Sequence, residues 1–194
     1  MPNEVLIQDV TDASLVQIRF LIAGSFSPVD DATNWTIGTP TDGVLTLSAV
    51  ADAAGRQSTK VDLGALRAPK YAVFGCVDFT GETPSATGRI DYYWLPSTST
   101  TAPNGNVAGN SGVDGAAPHG ALGSITLDEF KKQAQHIGSL LTHDGVSVQN
   151  GYVGTFSPAE RYGQLLVINE SGGAFENDDV EMHQVMNPIV DEIQ

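Results

Sequence analysis

Followed as apolar and polar positions, the chain breaks into short runs bounded by Gly, Pro, Asn and Asp, the pattern of strands joined by turns. In "SLVQIRFLI" the residues Val16, Ile18, Phe20 and Ile22 share one face and Gln17 and Arg19 the other, which predicts a half-buried strand. "GVLTLSAV" sets Leu45 and Leu47 against Thr46 and Ser48. "YAVFGCVDF" and "YGQLLVIN" are apolar on both faces, as central strands covered on two sides must be. "GRIDYYWLP" aligns Ile90, Tyr92 and Trp94, and "VEMHQVMNP" alternates Val180, Met182 and Met186 against Glu181 and His183. "VSVQNGYVGTF" reads as a longer strand bent near Asn150 and Gly151, and shorter edge pieces are expected around residues 5–7 and 60–63. Roughly eight or nine strands spaced about 8–12 residues apart predict an all-β protein, an antiparallel sandwich or barrel.

Two segments depart from that pattern. "SITLDEFKKQAQHIGSLLTHDG" opens with Thr126 and Glu129 at capping-box spacing, and Leu127, Phe130, Ala134, Ile137 and Leu141 recur at helical intervals. Gly138 disfavours a helix interior by about 1 kcal/mol relative to Ala, so a short helix over 127–133 passing into a strand is expected, with one helix to Leu141 as the alternative. The other is "LPSTSTTAPNGNVAGNSGVDGAAPHGALGS", Leu95 to Ser124, which has no apolar periodicity. A structureless connection of that length is uncommon inside a domain. It reads as an inter-subunit arm over about 96–124, a long loop folded back on its own sandwich, or a disordered tether. An arm predicts that deleting Thr101 to Gly115 leaves the isolated fold intact. A packed loop predicts that the deletion unfolds it.

Charge narrows the partners. The chain of 194 residues carries a formal charge of −14 on nine basic residues. Their only adjacent pair is Lys131-Lys132. A phosphate backbone needs clustered cations, so no nucleic acid is expected as a partner. From Glu170 onward there are seven acids and no base, which reads as a solvated acidic rim or a surface for a cationic partner. The opening MPNEVLIQDV has no basic segment followed by an apolar run, so neither a secretory leader nor membrane association is expected. Cys76 is the one cysteine and sits among apolar residues, which predicts a buried, inert thiol.

Candidate chemistry is sparse. Phosphate-loop, dinucleotide, zinc-protease, nucleophile-elbow and EF-hand spacings are all missing from the sequence. His119, His136, His143 and His183 are scattered, so no metal site and no cofactor are expected. Asp30-Asp31 and "ENDDVE", Glu176 to Glu181, could hold calcium, although turn-forming acids explain them more simply. Asn34-Trp35-Thr36 and Asn169-Glu170-Ser171 match the glycosylation sequon by chance. Trp35, Tyr92, Tyr93, Trp94, Tyr152 and Tyr162 could form a sugar-stacking platform, but Tyr92 and Trp94 share a strand face suited to the core.

"YAVFGCVDFTGETPSATGRIDYYWLPS", then "GYVGTFSPAERYGQLLVINESGGAF" and "VMNPIVDEIQ", resemble small virion structural proteins of tailed bacteriophages, from Val61 onward. The resemblance transfers no catalytic residue. It implies a β-sandwich, jelly-roll-like, formed by residues 1–194 as one domain. It also implies a non-enzymatic subunit, made in the host cytoplasm and located in the virion, that binds copies of itself and major capsid or tail proteins. Capsid decoration is favoured, with a neck, tail or baseplate ring as the other location. The residues expected to form the inter-subunit arm are Thr101, Pro103, Asn104, Asn106, Val107, Asn110, Val113 and Asp114. The rival reading is a carbohydrate-binding sandwich, and a glycan hydrolase is a third.

Overall fold

The computed structural model describes residues 16–23, 35, 39–65, 67–178 and 181–189. The strand expected at 5–7, the Asp30-Asp31 pair, Asn34 and Val180 lie outside the described residues. In chain order the strands are β1 (Ile18–Leu21), β2 (Thr41–Val44), β3 (Gly55–Gln57), β4 (Val61–Asp62), β5 (Lys70–Asp78), β6 (Arg89–Ser97), β7 (Gly115–Ala116), β8 (Gln135–Leu141), β9 (Val148–Phe156), β10 (Tyr162–Glu170) and β11 (His183–Ile189). One helix, α1 (Leu127–Lys131), precedes β8. The first sheet runs β2-β1-β11-β5-β9 and the second β7-β3-β10-β6-β8, with β4 added to β10. The protein is an all-β sandwich whose strand pairs are antiparallel except β1 with β2, which run parallel.

The alternation seen in the sequence decides which side chains meet between the sheets. Ile18 and Phe20 of β1, Tyr71, Val73 and Val77 of β5, and Met186 of β11 face Ile90, Tyr92 and Trp94 of β6 and Leu165 and Val167 of β10 in one buried cluster. One polar bond crosses this core: the Tyr92 hydroxyl donates to Gln184 Oε1 at 2.8 Å, and Gln184 Nε2 donates to the Cys76 carbonyl at 2.9 Å. Gly75 makes room for it, since a Cβ there would lie 2.2 Å from the Tyr92 oxygen. Tyr92→Phe leaves the Gln184 carbonyl oxygen buried and unpaired. Such an orphan costs about 1–3 kcal/mol, so the expected loss is about 2 kcal/mol. A urea melt checks it, and an unchanged midpoint would mean that the crossing bond contributes nothing.

Where β8 and β9 pass each other at the border of the two sheets, the backbones nearly touch. A Cβ on Gly138 would lie 2.2 Å from the Val153 carbonyl oxygen, and one on Gly154 would lie 2.5 Å from the Ile137 carbonyl oxygen. The ladders are irregular at the same place: Tyr92 pairs with Gly138 and Tyr93 with His136, skipping Ile137, while Val73 pairs with Gly154 and Phe74 with Tyr152, skipping Val153. An extra residue bends its strand and increases twist. Here both skipped residues turn into the core, where Ile137 and Val153 are buried.

Three local expectations change. The run "GVLTLSAV" is not one strand: β2 stops at Val44, and Leu45 and Leu47 are buried from an irregular segment. Thr46 N donates to Asp114 rather than to a ladder, and Ala49 takes a positive φ of 53°. The irregularity of β9 falls at Val153 rather than at Asn150-Gly151. The helix ends at Lys131, shorter than 127–133, and β8 begins at Gln135, with both halves of the Thr126–Glu129 capping box formed.

Candidate functional site

Residues 98–126 lie over the outer face of the second sheet, and three side chains of the sandwich hold them there. Lys60, just before β4, donates to the main-chain oxygens of Ser99 (3.0 Å), Thr101 (2.7 Å) and Asn104 (2.8 Å). An ammonium has three donors and no acceptor, so these carbonyls complete its needs while they shape the turn. Partial burial lowers its pKa by disfavouring the charged form. The turn closes on itself through Asn104 N to Thr101 O at 3.0 Å and Thr98 N to Gly105 O at 3.1 Å.

Gln57 of β3 makes the second attachment. Its Nε2 donates to the Val113 carbonyl at 3.1 Å and to Asn110 Oδ1 at 3.3 Å, and its Oε1 accepts from His119 N at 3.1 Å. Asn110 is fully buried, accepts from Gly112 N at 2.9 Å and donates to the Val107 carbonyl at 3.1 Å. Arg56 makes the third attachment, a two-pronged ion pair with Asp114 at 3.1 and 2.8 Å. Paired planar geometry of this kind is the specific mode of Arg with a carboxylate.

Beneath this polar lacing is a second, smaller apolar cluster. Leu95, Phe130, Leu166 and Ile168 are buried against Tyr93, Val107, Ala108, Ala117, Ile125, Leu127 and Ala134. The two-faced character of "YGQLLVIN" follows: Leu165 and Val167 join the main core, while Leu166 and Ile168 sit under the insert and α1.

The eight residues assigned to an arm occupy different places in this layer. Thr101, Pro103 and Asn104 are exposed on its turn, Asn106 and Val107 are half-buried, Asn110 is buried, Val113 is exposed, and Asp114 is paired to Arg56. Asn106 Nδ2 donates to the Ala102 and Asn110 carbonyls. Of the possibilities open in the sequence, the geometry is that of a loop folded on its own sandwich. Deleting Thr101 to Gly115 is therefore expected to remove two of Gln57's three partners, Asn110 and Val113, and uncover Leu166, lowering stability by about 2 kcal/mol in a thermal melt. An unchanged melt would mean that the layer is only laid on the surface.

Other candidates divide between structure and surface. Tyr92 and Trp94 are buried in the core, and Tyr93 meets His136 in a tilted contact with ring centres 5.0 Å apart. Tyr162 lies under the Arg161 guanidinium at 5.1 Å. Only Trp35 and Tyr152 share an outer patch, each beside Phe74, at 5.8 and 5.5 Å, with Tyr152 56% exposed. His183, 5.0 Å from Trp35, has its pKa lowered by burial. Asp78, Thr80, Glu176, Asp178 and Glu181 line a cleft of about 300 Å³, yet no group of three metal-ligating side chains among the described residues is placed to hold an ion. The sequon residue Asn169 is buried and donates to the Val50 and Gly173 carbonyls, and Cys76 is buried. No helix among the described residues is long and apolar enough to cross a membrane.

The chain matches no known family model, curated protein or solved structure.

Sequence reasoning missed Lys60, Gln57 and Arg56, the residues that organise the insert. Lys60 stood out only as part of a short edge piece, and Gln57 had no apolar neighbours to mark it as interior. A usable signal was the length of polar, glycine-rich chain itself, which cannot be ordered by apolar burial and needs donors and acceptors from elsewhere.

Proposed function

We propose that this protein is a non-enzymatic structural subunit of a tailed-phage particle that binds copies of itself and neighbouring capsid or tail proteins. Decoration of the capsid is the first assignment and a neck, tail or baseplate ring the second. The observation that supports it is the preformed outer layer. Because Lys60, Gln57 and Arg56 already order the insert, its outward apolar side chains, Val113 at 40% and Leu122 at 77% exposure, meet a partner without the entropy loss of folding an arm at the interface.

Charge bears on what that partner looks like. Arg19, Arg56, Arg89, Lys131 and Arg161 are all in ion pairs within the chain. Each pair also neutralises an acid, so the net −14, which already counts the nine bases, is carried by acids outside these pairs. Contacts between copies work against this repulsion and strengthen as salt screens it, whereas contact with the basic surface of a neighbouring protein weakens as salt rises.

The deciding experiment is the copy number of the chain in purified particles, by quantitative mass spectrometry against the major capsid protein. A stoichiometry comparable to that protein supports decoration, and a handful of copies supports a ring. Absence from particles overturns the reading. The outer patch of Trp35, Phe74 and Tyr152 favours one second reading, carbohydrate binding by aromatic stacking. Glycan-array binding abolished by Tyr152→Ala would establish it.

A further inference from the structure

The insert contains an Asn-Gly pair, Asn104-Gly105, on the exposed turn that Lys60 holds. Gly105 takes a positive φ of 67°, and a Cβ there would lie 2.6 Å from Thr98 Oγ1. The carbonyl of the Asn104–Gly105 peptide accepts from Lys60 Nζ at 2.8 Å and from Ser97 Oγ at 3.2 Å. Its N–H finds no acceptor among the described residues. With no side chain on Gly105, its nitrogen can approach the Asn104 side-chain amide.

We propose that Asn104 is a site of spontaneous succinimide formation and deamidation, promoted by Lys60. Loss of the Gly105 N–H proton to solvent base leaves an imidate whose negative charge sits largely on the Asn104 main-chain oxygen. That oxygen already faces a cation and a hydroxyl donor. Donors aimed at developing charge stabilise it more than they stabilise the neutral ground state. The nitrogen then bonds to Asn104 Cγ, the Cγ–Nδ2 bond breaks, and the leaving nitrogen takes a proton and departs as ammonia. Water opens the ring at either carbonyl, giving aspartate or isoaspartate. Isoaspartate lengthens the main chain by a methylene between Asn104 and Gly105, so the carbonyl bound by Lys60 and the Thr98–Gly105 bond no longer coincide. The modification therefore loosens the turn that Lys60 organises.

The chain carries its own reference. Asn150-Gly151 has the same dipeptide, but it lies within β9, paired in register with Cys76 and Gly75 of β5. The experiment incubates the full-length protein at mildly alkaline pH and follows both sites by peptide mapping and isoaspartyl-methyltransferase labelling. Lys60→Met, Lys60→Arg and Ser97→Ala are run in parallel, as is the wild-type chain in urea. Asn104 is expected to convert before Asn150 in the folded protein, and the two to converge in urea. Lys60→Met should slow Asn104 by about tenfold, the worth of one charge-assisted hydrogen bond, while Lys60→Arg retains most of the rate. Equal rates at the two sites in the folded protein overturn the proposal. So does faster conversion in Lys60→Met, which would mean that the lysine protects the turn by holding it still.

Discussion

Val167→Asp leaves no cooperatively folded protein at room temperature. Val167 lies in the middle of β10, paired on one side with Tyr92 and on the other with Arg56, and its side chain has no solvent exposure. It sits in the main core among Ile90, Leu165 and Met186, and its cross-strand neighbour Arg56 is already committed to Asp114. Leaving a charge buried and unpaired costs about 3–5 kcal/mol, to which the lost packing of the valine adds. The sum rivals the whole stability of an ordinary domain, about 5–15 kcal/mol. Burial raises the pKa of such a carboxyl, so the charge penalty is absent below the pH at which the unfolded chain ionises, grows as pH rises from there, and is complete only above the raised native pKa. Circular dichroism with a thermal scan reads the outcome, and Val167→Ala, which only opens a cavity, should still fold. An aspartate variant melting at the wild-type temperature would place Val167 outside the core.

The second large effect is expected at Gly138→Ala, a change of one methyl group. Its new Cβ meets a main-chain oxygen, Val153 O, at 2.2 Å. No rotamer relieves a clash between a Cβ and a carbonyl, so β8 or β9 must move. Overpacking typically costs about 1–3 kcal/mol, and an immobile backbone partner places this variant at the top of that range. Gly151→Ala is the control. It lies three residues before Gly154 in β9, and its Cβ touches only Leu140 Cδ1 at 3.1 Å, the end of a side chain that can rotate away. Equilibrium unfolding should separate the two by about 2–3 kcal/mol. Equal effects would show that the strands cross less closely.

What was legible in the sequence follows from the range of each interaction. Period-two alternation in β1 and β6 and the two-faced run of β10 predicted burial because each strand reports its own two faces, whereas in β11 His183, placed on the polar face by the alternation, is buried. The Thr126 capping box marked the helix start because its bonds span three residues. The Leu45–Leu47 run misled because its apolar residues are buried without a ladder, its backbone being diverted to Asp114, 68 residues away. The insert's order was invisible for the same reason. Gln57 reaches partners 53 to 62 residues distant, and nothing local to either end records that they meet. Glycine gave no hint of its several duties either: Gly75 clears space for a tyrosine hydroxyl, whereas Gly138 and Gly154 let two backbones pass.

That passage of β8 over β9 bears on how the molecule escapes an old hazard of sheet proteins. Unpaired strand borders recruit further strands and seed fibrils. Here the outermost strands of the two sheets lean on each other at one side. At the other, Val44 N donates to Thr59 Oγ1 and Thr59 N to the Val44 carbonyl, both at 2.8 Å, which ties β2 to the segment leading into β4. Borders fastened in this way leave an incoming strand little unpaired main chain to template on at these two places.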